Sequence, residues 1–133
     1  MVTRPSIYWR EDVEREAREL ASGAIDPDDA VIAELFPESL LASTDQALSA
    51  FECVLKGLAD PNDEQLSALL ELTTRALNSI NTDHGGDAYE TDEREQLCAF
   101  LEESLVDAGC DLDAFAARNS MTRHQITDRW RAW

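Results

Sequence analysis

The sequence predicts an all-α fold, an irregular single-domain bundle of about five to seven helices spanning residues 1–133. Three observations carry this expectation. Apolar residues recur at intervals of three and four through most of the chain, the period of an amphipathic helix. Proline, glycine and side-chain caps fall where those periodic stretches begin and end. No alternating, β-branched run competes with them, and a composition 44% hydrophobic and 29% charged suits a folded chain rather than a disordered tail. A chain of 133 residues buries roughly two-thirds of its unfolded surface, so a core forms without metal or disulfide.

Trp9, Val13, Ala17 and Leu20 lie on one face and predict a first helix over 9–22, stopped by Gly23. Asp26 before Pro27 reads as an N-cap and first helical residue, opening a short helix through Val31, Ile32 and Leu35 that ends near Phe36-Pro37. A further turn, ESLLA, follows. Ser43 and Gln46 have capping-box spacing, and Leu48, Phe51, Val54 or Leu55, and Leu58 then predict a helix over 44–59. Asp60-Pro61 repeats the cap-then-proline signal, after which Leu66, Leu69, Leu70, Thr73, Leu77 and Ile80 carry a helix to residue 80. That stripe suits core packing first and a dimer face second, so a monomer or homodimer is expected.

Residues 81–90, with two adjacent glycines, read as irregular. Thr91 then caps a helix with Asp92 and Glu93 in its first turn and Leu97, Leu101 and Leu105 on one side, ending at Gly109. A short segment from Asp111 to Arg118 follows, and Thr122 with Gln125 makes a capping box for a terminal helix. Cys53, Cys98 and Cys110 lack metal-site spacing, and the first two fall within apolar helical patterns, so buried reduced thiols in a cytoplasmic protein are expected. No apolar run approaches the length of a membrane span, and MVTRPSIYWRED lacks the apolar region of a secretory signal, so no membrane partner is expected.

The formal net charge is −17, unevenly placed. Residues 1–20 carry four Arg against five acids (−1), residues 21–74 eleven acids against Lys56 (−10), residues 75–117 eleven acids against Arg75 and Arg94 (−9), and residues 118–133 four Arg against Asp128 (+3). All three Trp lie in the near-neutral or basic ends, as Trp9, Trp130 and Trp133. Such a field repels nucleic-acid backbones and anionic membranes and attracts basic proteins.

Two segments bear on chemistry. Laying the twelve positions of a calcium-binding helix–loop–helix onto Asn81–Asp92 puts Asp83 at three, Gly86 at six, Asp87 at seven and Asp92 at twelve. Asn81 at one, Gly85 at five and the short Asp92 at twelve remove charge and reach, so a glycine-hinged surface loop competes with a calcium site at Asp83, Asp87 and Asp92. His84 lies beside these acids, but no Ser-His-Asp or Cys-His arrangement can be assembled from the linear sequence, and no catalytic residue or cofactor is assigned.

The second segment is residues 112–130, which resemble the latter half of a helix-turn-helix DNA reader: Ala116, Thr122 and Ile126 occupy the small, helix-opening and inward apolar places. The resemblance implies Arg123, His124 and Gln125 at base edges and Arg118, Arg129 and Arg131 at phosphates. Against it, the turn reads Asn119-Ser120 where glycine is preferred, and Arg129 falls on an inward position. The competing reading takes Ile126, Trp130 and Trp133 as one apolar face of a short helix docked on the bundle, against Trp9, with the arginines meeting the acidic body.

The stretch GluThrAspGluArgGluGlnLeuCys at 90–98, with the terminal IleThrAspArgTrpArgAlaTrp at 126–133, is similar to small bacterial helical proteins of uncharacterised function that share an ETDERE-type helix start and a terminal WR-x-W. That resemblance implies that the two segments pack as one unit, with Arg94 and Arg129 as partners for nearby carboxylates.

The leading functional expectation is a non-catalytic protein-interaction module, immunity-like or an adaptor, whose acidic middle binds a basic protein partner. A DNA-binding regulator built on residues 112–131 and a metal protein built on the 81–92 loop are the alternatives.

Overall fold

The computed structural model describes residues 2–133, and all regular structure among them is helical. Six α-helices follow in chain order: α1 (Pro5–Ser22), α2 (Ile32–Leu35), α3 (Glu38–Gly57), α4 (Asp63–Asp83), α5 (Thr91–Asp107) and α6 (Leu112–Arg118). Two 3-10 turns, Pro27–Asp29 and Arg123–Gln125, complete them. The all-α bundle expected from periodicity is the observed fold. No helix among the described residues is long and apolar enough to cross a membrane.

α3 and α4, joined by residues 58–62, pack along each other, and α1 lies across α3 and α5. The core is one cluster built from Trp9, Leu40, Leu48 and Phe51, the α4 leucines 66, 69, 70 and 77, and Leu97, Phe100, Leu101 and Leu105 of α5. The α4 stripe is therefore spent on the core. On α5 the predicted face is fully covered, since Leu97, Leu101 and Leu105 are each 0% exposed.

Helix starts depart from the sequence reading, each for a local reason. α1 begins at Pro5, not residue 9, because proline suits the first helical position and Arg4 before it is fixed by Asp45 (3.0 Å) and Glu52. Pro27 opens only a 3-10 turn, with the Asp26 carboxylate accepting from the Asp28 N–H at 2.9 Å. The expected break at Ser43 is absent. Leu40, Leu41, Thr44, Leu48, Phe51 and Leu55 form one continuous buried stripe, so α3 runs unbroken from Glu38 and the Ser43/Gln46 box has no helix end to cap.

Asn62, not Asp60, caps α4, through reciprocal bonds with Gln65 at 2.8 and 2.9 Å, and Asp60 turns the chain at φ 50°. α4 continues to Asp83, three residues past the expected end. Glu90 occupies the N-cap place of α5, and Thr91 is its first helical residue rather than its cap. Of the cysteines, Cys53 is exposed, while Cys98 and Cys110 are half-buried. The Cys53 expectation fails because Leu55, not its neighbours Cys53 and Val54, faces the core.

The terminal helix is also corrected. The Thr122/Gln125 capping box forms, yet only the 3-10 turn follows it. Asn78 of α4 holds the chain beyond, its amide donating to the Trp130 carbonyl (2.7 Å) and its oxygen accepting from Ala132 N–H (2.9 Å). Those bonds occupy backbone groups that a continuing helix would need. Ile126 is nonetheless buried, and Trp130 and Trp133 pack on the core as half-covered side chains. Trp133 reaches Trp9 through an intermediary: Trp9 stacks on Phe36 at 5.3 Å and meets Tyr89 at 6.0 Å, and Tyr89 meets Trp133 at 5.7 Å.

Candidate functional site

That aromatic row lies beneath the part of the surface where α2, the 84–90 loop and the start of α5 come together. Two long-range anchors set this junction. The first is Glu16 of α1, whose buried carboxylate accepts from the N–H groups of Val31 (2.9 Å), Ile32 (2.9 Å) and Ala33 (3.2 Å). A side chain fifteen residues away thus does the capping that Val31 cannot.

The second anchor is Asn81, 3% exposed, which accepts from the Tyr89 N–H at 3.0 Å and donates to the Gly86 carbonyl at 2.8 Å. Gly85 (φ +103°) and Gly86 (φ +90°) supply the left-handed turn between them. Tyr89 is 3% exposed, and its hydroxyl sits 2.5 Å from Thr44 Oγ1. Burial pushes that phenol up to about 12 against the opposing Thr44 bond.

Two adjacent clefts open at this junction. One, of 240 Å³, is lined by Glu34, Asp87, Glu90 and Glu93 with His84, Leu35, Pro37 and Leu40. The other, of 530 Å³, shares Asp87, Glu90 and Glu93 and adds Asp92, Arg94 and Trp133. Five carboxylates therefore face one arginine, a local formal charge of −4. Burial, with Glu90 and Asp92 as like-charged neighbours, raises the Glu93 carboxyl above the usual range, although backbone hydrogen bonds at Glu93 and Glu90 oppose this. A carboxyl held that way is stabilised by any cation entering the cleft.

Most arginines of the two terminal segments contrast with this face, because they are engaged within the molecule. Arg10 meets Glu38 at 2.6 Å, and Arg118 grips Asp63 with two bonds of 2.7 and 2.8 Å, which lowers the Asp63 carboxyl. Arg123 lies 3.6 Å from Glu102 and 3.7 Å from Asp113, and His124 Nδ1 lies 2.9 Å from Glu102. Gln125 is used as the cap partner of Thr122. Arg129 covers the Trp130 ring, and Arg131 covers Trp133 while pairing with Asp128 at 2.9 Å. Of the six residues assigned to DNA, Arg118 ends α6 and the other five lie on the 3-10 turn or just after it, where no recognition α-helix forms, and five of the six carry a charge partner or an aromatic ring.

The structure spreads the residues of the calcium reading. Asp83 ends α4, Asp87 lies in the loop and Asp92 in the first turn of α5, while Asn81–Asp83 are helical rather than loop. Among the described residues no group of three or more His, Cys, Asp or Glu side chains is placed to hold a metal ion. Asp87 and Asp92 are instead part of the acidic rim. Sequence reasoning missed Ser39, whose Oγ lies 2.9 Å from His84 Nε2 across 45 residues of chain. No linear signal joins the two. The 90–98 and 126–133 segments do touch, through Cys98 Sγ at 3.8 Å from Thr127 Oγ1 and from the Arg131 guanidinium, while Arg129 packs on Trp130 rather than on a carboxylate.

Comparison of the chain with models of known families, with curated proteins and with solved structures finds no match in any of the three.

Proposed function

We propose that the protein is an interaction module, immunity-like or an adaptor, that engages a basic protein partner through the acidic clefts beside the 84–90 loop. One observation carries this reading: Arg4, Arg10, Arg15, Arg118, Arg123 and Arg131 of the terminal segments are held in internal ion pairs, whereas Glu34, Asp87, Glu90 and Asp92 have no ion-pair partner among the described residues. Uncompensated charge on a concave face steers oppositely charged molecules and adds specificity to their docking. Leu35, 53% exposed at the rim, gives an incoming lysine or arginine stem an apolar surface to lie on.

Titration of an arginine-rich peptide followed by calorimetry tests the proposal. Binding at low ionic strength that is lost by about 0.5 M salt, where the Debye length falls below roughly 5 Å, is the expected result. Absence of binding at low salt refutes it.

A further inference from the structure

Ser39 and His84 make a nucleophile–base pair that goes beyond the binding role and does not rest on it. His84 Nδ1 lies 2.8 Å from the Ile80 carbonyl oxygen. A carbonyl only accepts, so Nδ1 carries the ring proton. In the neutral imidazole Nε2 is then the acceptor, and the Ser39 hydroxyl, 2.9 Å away, donates to it. This is the tautomer and the contact that a general base needs to activate a serine, with a backbone carbonyl in the orienting place that a carboxylate holds in a triad.

The surroundings suit acyl chemistry. Ser39 is the second residue of the twenty-residue α3. The backbone N–H groups of Glu38 and Ser39, in the first turn of that helix, have no acceptor inside it and are free to serve as donors to a developing oxyanion. His84, but not the exposed Ser39, lines the 240 Å³ cleft, so the pair sits at its edge; Pro37, Leu35 and Leu40 offer apolar contact there and Glu34, Asp87 and Glu90 negative charge.

We infer that Ser39 and His84 hydrolyse small carboxylic esters that carry a positive charge. Ser39 Oγ attacks the ester carbonyl carbon as its proton passes to His84 Nε2. The adduct collapses, the bond to the alcohol oxygen breaks, and Nε2 returns the proton to the leaving alkoxide. Water then attacks the acyl-serine, giving its proton to Nε2. The acyl–Oγ bond breaks, the serine recovers the proton, and the carboxylic acid departs. Ester and water become acid and alcohol, with no other reactant.

Proton NMR of acetylcholine and of the neutral ester ethyl acetate, each incubated with the purified protein, provides the test. Acetylcholine turnover is expected to fall by about 100-fold or more in both Ser39→Ala and His84→Gln, the range for losing a positioned base or its nucleophile. A fluorophosphonate should label Ser39, located by peptide mass mapping, in the native protein and not in His84→Gln. Circular dichroism checks that each variant is folded. The double variant Glu34→Gln/Glu90→Gln should lose the preference for acetylcholine over ethyl acetate. Turnover unchanged in Ser39→Ala, no turnover above buffer, or no label on Ser39 would overturn the activity and leave the pair as a fastener between helix ends. Equal cleavage of both esters by the unsubstituted protein would overturn the substrate class. Arginine-rich peptide binding shares the cleft carboxylates with the ester preference but not the Ser39–His84 pair, so loss of turnover or of the label can occur with peptide binding intact.

Discussion

Raising the pH from 10 through 12 should progressively remove the stability contributed by the phenol of Tyr89, a side chain that ties the 84–90 loop both to α3 and to the aromatic row. Its phenol shifts from 10.0 to about 12 on folding, with burial as the cause. The sign follows directly: the folded state holds this proton more tightly than the unfolded state, so the contribution is complete below the unfolded value and is lost as pH climbs through the folded one. Two pH units correspond to about 3 kcal/mol, an upper figure for a group not wholly buried. Urea melts monitored by circular dichroism at intervals between pH 9 and about 12 would measure it.

Tyr89→Phe is the control. That substitution removes the 2.5 Å contact with Thr44 Oγ1 and costs about 1 kcal/mol near neutral pH, yet it abolishes the Tyr89 part of the alkaline slope. Tyr8 is half-exposed, and the arginines are shared by both proteins, so the difference between the two melts isolates one phenol. Parallel pH profiles for wild type and Tyr89→Phe would refute the reasoning.

Further expectations concern the other anchors. Glu16→Ala uncovers the N–H groups of Val31, Ile32 and Ala33 at the start of α2 and should destabilise by about 3 kcal/mol, with Glu16→Gln, which keeps an acceptor, losing less in the same urea melts. Deleting residues 126–133 removes buried Ile126 and two half-covered Trp, about 5–7 kcal/mol by area, which is comparable with the whole stability of a small domain; thermal melts should show most of the protein unfolded near room temperature. Asn78→Ala, which breaks only the two bonds to Trp130 and Ala132, should cost about 1–2 kcal/mol. One fast thiol is expected with a disulfide reagent, at exposed Cys53, because burial raises the Cys98 and Cys110 thiols and shields them until the chain unfolds.

What was legible in the sequence followed from period and local caps. The faces of α4 and α5 could be read from leucines at intervals of three and four, and the Thr122/Gln125 capping box forms where its spacing predicts it. What escaped was decided by residues distant in the chain. No local rule assigns Glu16 to the N-terminus of α2, directs Asn78 to the terminal backbone, or brings Ser39 against His84. The terminal arginines show the same limit. Their number and spacing suited DNA, and only the packed chain reveals that Arg118 is held by Asp63 and Arg123 by Glu102 and Asp113.

The acidic residues of the candidate site were visible as composition but not as a face. Glu34 stands more than fifty residues before Asp87 and is brought beside it because Glu16 fixes α2 while Asn81 and Tyr89 fix the loop. A charge sum over segments cannot distinguish that gathering from a solvated scatter.

The most direct measurement compares arginine-rich peptide binding by two triple variants of equal charge. Glu34→Gln/Asp87→Asn/Glu90→Gln empties the cleft of three carboxylates, whereas Asp60→Asn/Glu64→Gln/Glu103→Gln removes three exposed ones elsewhere. If the cleft is the binding face, calorimetry at low salt will show the first variant weakened by about tenfold or more, or 1.4 kcal/mol, and the second within about twofold of wild type. Equal weakening of both would mean that net charge alone attracts the peptide, and would contradict a site beside the 84–90 loop.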